Sequence, residues 1–220
     1  MKYLGLGIKR LIDVVLSFIA LIILAIPFAI IGLLIRRDSP GPVFFKQERV
    51  GKDRRLFKVW KFRTMIDGAV YQGLGYTVEE NDTRITKIGD RLRDLSLDEL
   101  PQIVNVLVGS MSLVGPRPTL QYQVEHYDEN QLQRLEMKPG ITSLAVVGGR
   151  NALSWEERIR LDIEYVKTWS LWLDIKILFK TIWVVIVKRE GLYGEDGVND
   201  PFVEPPSAEE IRRTEGEHVE

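Results

Sequence analysis

The sequence predicts an α+β fold, rich in helix, with an N-terminal membrane helix, a small β-hairpin and amphipathic helices packed around it. Three observations predict it. Residues 14–35 run for 22 positions without a charge. Residues 43–45 and 56–62 read as two strands around a turn at 50–53, the second alternating apolar and basic side chains. From residue 83 onward, amphipathic segments are separated by capping and turn residues.

The 220-residue chain is 45% apolar, enough for one domain with a real core. Its net charge of −1 conceals a strong asymmetry. Residues 1–70 carry 13 basic against 5 acidic side chains, and residues 189–220 carry 3 against 10. A basic front points to an anionic partner near the N-terminus. The chain has no cysteine, which excludes a disulfide scaffold, a thiolate nucleophile and sulfur-held zinc. With His126 and His218 as its only histidines, it predicts at most a hard cation held by oxygen. The expected division is a membrane helix over 1–38, a catalytic domain over 39–190 and an acidic, disordered tail over 191–220.

The uncharged stretch is ~33 Å long as a helix, enough to span a bilayer core of ~30 Å. Lys9-Arg10 precedes it and Arg36-Arg37 follows it. The positive-inside rule places both ends on the cytoplasmic side, which a straight span cannot satisfy. Pro27 removes a helical hydrogen bond near the middle, where a helix that enters and leaves on one side would turn. On the residues alone, a transmembrane anchor and a re-entrant helix both remain open.

Ser39-Pro-Gly-Pro42 closes this segment and the hairpin follows. Residues 67–82 contain three glycines without periodicity and read as a mobile loop. Helices are expected over 83–95, 98–108, 121–135, 154–168 and 171–187, with a strand-like apolar stretch between Thr142 and Gly148. The last helix carries Trp172, Trp183, Lys176 and Lys180, which suits either a headgroup-level helix or a core helix with snorkelling lysines.

The segment from Arg91 to Pro118 is richest in chemistry. Pro101 fits only the first turn of a helix, so a start near 96–98 is expected, with Ser96-x-x-Glu99 as a capping box. Asp98 and Glu99 then read either as first-turn acids or as functional carboxylates. A carboxylate at a helix start beside Arg93 and Arg117 suits attack on phosphorus or Mg²⁺ ligation. Arg117 stands between two prolines, a stiff mount for bidentate phosphate binding. The run from Lys46 to Arg63 holds eight basic residues interleaved with Phe57, Trp60 and Phe62. Its composition suits single-stranded nucleic acid, lipid headgroups or a pyrophosphate; its closeness to the apolar stretch favours the latter two, with no nucleic acid as partner.

Taken in order, Lys9-Arg10-x-x-Asp13, Asp38-Ser-Pro-Gly-Pro-Val-Phe-Phe45, Lys61-Phe-Arg-Thr-Met65, Ser96-Leu-Asp-Glu-Leu-Pro-Gln102 and Val114-Gly-Pro-Arg-Pro118 form a recognisable series. With Lys138-Pro-Gly-Ile-Thr142, Gly149-Arg-Asn151 and Leu161-Asp162, the chain resembles the bacterial monotopic phosphoglycosyl transferases to about residue 188. The resemblance implies transfer of a phosphosugar from a UDP-sugar donor to polyprenol phosphate at the cytoplasmic face of the bacterial inner membrane, releasing UMP. It implies Asp98 as nucleophile, Glu99 assisting the second step or the metal, and Mg²⁺ at the diphosphate with both acids as ligands. Lys61, Arg93, Arg117 and Arg150 match basic positions, membrane lipid is a further partner, and the helix is re-entrant, broken at Pro27. The oligomeric state stays open. The alternative reading is a membrane-anchored scaffold on the same fold.

Two departures stand out. Ile26 precedes Pro27 where the family commonly has serine. Ser143-Leu-Ala-Val-Val-Gly148 replaces a stretch that usually carries an aromatic and two amides. Hydrogen-bonding groups are lost there, and the donor sugar is unspecified.

Overall fold

The computed structural model describes residues 2–79, 82–149, 152–184 and 203–216. Helix α1 (Lys2–Asp38) is followed by the hairpin β1 (Phe44–Val50) and β2 (Leu56–Phe62), then α2 (Lys87–Asp94) and α3 (Gln102–Val108). After these come β3 (Ser112–Val114), α4 (Gln121–Val124), α5 (Glu129–Leu132), β4 (Gly140–Thr142) and α6 (Leu144–Gly148). Helices α7 (Trp155–Thr168), α8 (Leu171–Trp183) and α9 (Ala208–Gly216) complete the described residues. The helix-rich α+β class and the small hairpin are as expected. β1 and β2 pair antiparallel, while β3 and β4 form a separate parallel pair. That pairing needs Gly115 and Gly140, because a β-carbon on Gly115 would fall 2.2 Å from the Lys138 carbonyl oxygen and one on Gly140 2.1 Å from the Gly115 amide nitrogen.

α1 is long and apolar enough to cross a membrane. It is one continuous helical element with Pro27 inside it. Proline removes one hydrogen bond, and remaining helical satisfies every other backbone group among apolar neighbours. The helix is tied at both ends to the same folded body. Lys9 Nζ donates to Asp174 at 2.7 Å and to the Val114 carbonyl, and Arg10 donates to the carbonyls of Val106 and Leu107 that end α3. Asp13 accepts the Leu113 amide. At the far end Ile35 is buried with Phe62 and Leu92, and Asp38 accepts the Ile88 amide. Between these ties Phe18, Ile22, Ile23 and Ile26 are more than half exposed.

Several expected elements are shorter or different. The helix expected over 83–95 begins at Lys87, where the Thr86 hydroxyl accepts the Gly89 amide as N-cap. The helix expected over 121–135 is divided, because Asp128 caps a new start with a reciprocal Gln131 contact. The strand-like stretch after Thr142 is instead α6, capped by Ser143. α7 matches its expected bounds within a residue, and α8 is helical to Trp183, with 185–187 outside the described residues.

Of residues 67–82, expected to be a mobile loop, 80 and 81 lie outside the described residues, and the stretch from Ala69 to Thr77 is gathered around one buried guanidinium. Arg84 donates to the carbonyls of Ala69, Gln72, Gly75 and Thr77 and pairs with Asp82. The tail is also partly ordered. α9 buries Ile211 and Ala208 against this loop, and Arg212 donates to the Tyr71 carbonyl. An isoleucine and an alanine spaced i, i+3 supply an apolar face that the acidic composition concealed.

Candidate active site

A cleft of about 550 Å³ collects Lys61, Arg93, Asp98, Glu99 and Arg117 on one wall. These are five of the six side chains expected at the site; the sixth, Arg150, lies outside the described residues. Pro27 belongs to α1 and is exposed.

The local fold around the acids differs from the expected helix start. Ser96 holds a left-handed backbone (φ 54°) and makes no capping hydrogen bond, so the capping box does not form. Leu97–Glu99 is a single 3-10 turn, and α3 starts at Gln102 after Pro101, whose φ of −61° is already helical. Asp98 and Glu99 therefore stand on a tight corner between α2 and α3. Side chains, more than a helix dipole, set their electrostatics.

The two neighbouring acids have opposite surroundings. Glu99 Oε1 accepts Lys61 Nζ at 2.9 Å and Arg117 Nη2 at 2.8 Å. Burial alone would raise its pKa, yet Arg117 and Lys61 hold it well below the usual carboxylate range. No hydrogen bond or ion pair reaches the Asp98 carboxylate among the described residues. Burial pushes Asp98 up to about 6, assisted by the Glu99 charge and opposed by Lys61, Arg93 and Arg117. One acid is clamped by two cations, and the other has no such clamp among the described residues.

Sequence reasoning missed Arg49, which faces the same cleft. The hairpin register pairs Phe45 with Lys61 and Arg49 with Phe57, so Lys61 and Arg49 share a face of the sheet. The pairing register finds it, and the basic run alone does not. Burial and Arg117 push Arg49 down to about 10, against the pull of Glu99. Tyr76 and Tyr122 stack with ring centres 6.4 Å apart and line the opening.

Arg117 is held from behind. Its carbonyl accepts Arg134 Nη2 at 3.0 Å, and Arg134 is itself buried against Asp162 and the Tyr127 hydroxyl. The prolines on either side fix the backbone, and this buried pair fixes the carbonyl. Arg134 lacked any local motif; Asp162 had only its place in Leu161-Asp162.

The cleft also has apolar lining. Ala145 and Val146, within the departed 143–148 stretch, face the cleft with Ile182 and Trp155. From the tail, Pro205 reaches the same cleft. Among the described residues no group of three or more acids or histidines is placed to hold a metal.

An apolar helix is thus tied at both ends to a folded body whose cleft brings Asp98 and Glu99 together with Lys61, Arg49, Arg93 and Arg117, a set of cations whose chemistry suits phosphate groups. The chain belongs to the bacterial sugar transferase family, whose model matches residues 4–188, as its motifs implied. It is 43% identical to the uncharacterized sugar transferase EpsL of Bacillus subtilis, over 83% of this chain and 89% of that protein. It is 41% identical to the UDP-glucose:undecaprenyl-phosphate glucose-1-phosphate transferase of Escherichia coli, over 83% of this chain and 41% of that one. The UDP-galactose-lipid carrier transferase of Erwinia amylovora is 44% identical, over 87% and 43% respectively. The chain thus spans nearly all of EpsL and less than half the length of the latter two.

Proposed function

We propose that this chain transfers a phosphosugar from a UDP-sugar to polyprenol phosphate through a covalent intermediate on Asp98. The observation that carries the reading is the asymmetry of the two acids: Glu99 held by Lys61 and Arg117, Asp98 without a hydrogen-bond or ion-pair partner among the described residues, both at one basic cleft. The names of the Escherichia coli and Erwinia amylovora relatives support the donor and carrier classes.

In the first step an Asp98 oxygen attacks the sugar-bearing phosphorus. A P–O bond forms, the bond to the bridging oxygen breaks, and UMP leaves with the electron pair. Arg117, Arg93, Arg49 and Lys61 neutralise the charge that gathers on the phosphoryl oxygens and the leaving group. In the second step an oxygen of polyprenol phosphate attacks the same phosphorus and the Asp98 carboxylate leaves. A covalent intermediate allows one cleft to serve a soluble donor and a membrane acceptor in turn.

The donor set fits Mg²⁺, which takes one or two carboxylates and completes its shell with phosphate and water oxygens. Asp98 is free, and Glu99 Oε2 meets only a 3.5 Å contact from Arg117. These two residues would hold the ion, which would supply charge neutralisation at the diphosphate.

For topology we propose that α1 enters and leaves on the cytoplasmic face of the inner membrane, bending at Pro27. Its support is that Lys9–Asp13 and Ile35–Asp38 both contact one folded body, although ~40 Å of straight helix would separate them. α8 turns Trp172, Phe179, Ile182 and Trp183 outward, each more than half exposed, with Lys176 set 5.4 Å over the Trp172 ring. That face suits the headgroup region.

The test is UMP release from a panel of UDP-sugars by detergent-solubilised protein with Mg²⁺ and polyprenol phosphate. Release from one donor, absent in Asp98→Asn, is the expected result. Transfer that survives Asp98→Asn overturns the mechanism. Silence with every donor favours the scaffold reading.

A further inference from the structure

Away from the cleft, a second set of cations converges where the N-terminal part of α1 meets the body. Gly109 ends α3 with a left-handed backbone (φ 93°). A β-carbon there would lie 3.0 Å from Arg10 Nη2 and 3.5 Å from Lys138 Nζ. Two positive side chains therefore end at one point, and the missing side chain is what admits them. Arg10 has partners in the carbonyls of Val106 and Leu107. Lys138 has none: among the described residues no hydrogen bond or ion pair reaches its ammonium.

The surroundings make this placement costly. Lys138 is half-buried, and burial, with Arg10 and Lys52, pulls its pKa below the usual lysine value. The nearest opposing charge, Asp13, is already engaged with the Leu113 amide. The hairpin tip (Lys52–Arg54) packs against the turn Gln133–Glu136 just ahead of Lys138. Asp53 and Arg54 both hold left-handed backbone there, which fixes the direction of the tip. Among the described residues Lys52 pairs with the exposed Asp53, at 3.6 Å. An ammonium held beside two like charges, with no hydrogen bond or ion pair of its own among the described residues, is the arrangement that an added anion relieves.

Position identifies the anion. Arg10 lies one helical turn, ~6 Å, before the uncharged stretch that begins at Val14, and Leu11 beside it is 64% exposed. That is the depth of lipid phosphates for a helix entering a bilayer. The cluster is also separate from the catalytic cations, since Lys61 sits roughly 17 Å along β2 from the hairpin tip.

We propose that Arg10, Lys138 and Lys52 form a binding site for the phosphate of an anionic phospholipid. The site rests on the reading that α1 enters the membrane. A free phosphate has the same chemistry, and the test separates the two sources.

The purified full chain is sedimented with vesicles of phosphatidylcholine alone and of phosphatidylcholine with phosphatidylglycerol. The wild type should bind both and prefer the anionic vesicles. Lys138→Gln should lose about fivefold of that preference while binding neutral vesicles normally, and Lys138→Arg should retain it. An unchanged preference in Lys138→Gln overturns the site, as does an equal loss in the exposed control Lys167→Gln. Inorganic phosphate titrated in detergent forms the other arm. Saturable, Lys138-dependent binding there, with no preference for anionic vesicles, overturns the lipid assignment in favour of a soluble phosphate. Failure to bind either vesicle overturns the membrane reading, and this site with it.

Discussion

Arg117 reaches Glu99 with both guanidinium nitrogens, Nη2 at 2.8 Å from Oε1 and Nη1 at 3.5 Å from Oε2. Glu99 thereby aims the arginine, and Lys61 joins on the same oxygen. An amide cannot hold two cations in this way. Glu99→Gln should lower UMP release by about 100-fold, the scale of losing one preorganised charge partner. Arg117→Lys, which removes the fork, should cost at least about tenfold. Steady-state kinetics of the three proteins check both expectations.

The pH profile should carry the signature of Asp98. Attack requires the carboxylate, and Asp98 titrates at about 6, so kcat/KM should rise with pH through that value and then level. Glu99 contributes to the upward push, while Lys61, Arg93 and Arg117 oppose it. Glu99→Gln should therefore move the acid limb to lower pH and Arg93→Ala should move it higher. An acid limb at the same pH in all three proteins would contradict the assignment.

Arg134 and Asp162 form a fully buried pair behind the Pro116-Arg117-Pro118 backbone. Removing one partner leaves the other charge buried and alone. Asp162→Ala should destabilise the fold by about 3–5 kcal/mol, read as a lowered thermal midpoint. Arg134→Met with Asp162→Leu together should restore much of that stability while UMP release stays impaired, because the Arg117 carbonyl has lost its donor.

The tail supports the loop that carries Tyr76. Ile211 is 1% exposed and would crowd a β-carbon placed on Gly75. Ile211→Ala should weaken this docking by about 2–5 kcal/mol. Amide exchange across residues 69–78 should accelerate, while exchange in β1 and β2 stays at wild-type rates.

What the sequence made legible follows the reach of each signal. The hairpin, α7 and the gathering of Asp98, Glu99, Arg93, Arg117 and Lys61 came from alternation, capping residues and motif order, all local. Ser96 misled because a serine three residues before a glutamate looks like a cap, whereas its left-handed backbone turns the chain instead. The stretch from Ala69 to Thr77 looked structureless because what organises it is a single side chain from outside, Arg84. Arg49 and Arg134 were hidden for a related reason. Their roles depend on strand register and on contacts between distant segments, which no window of a few residues contains.

The tie between Lys9 and Asp174 joins residues 165 positions apart. At synthesis rates of roughly 5–20 residues per second, Lys9 is made on the order of 10 s or more before its carboxylate exists. Asp13 likewise waits for Leu113, and Arg10 for the end of α3. The N-terminal end of the first helix made is therefore fastened late. Its placement is completed only when α8 has been translated, which makes the anchor a product of the folded body rather than its starting point.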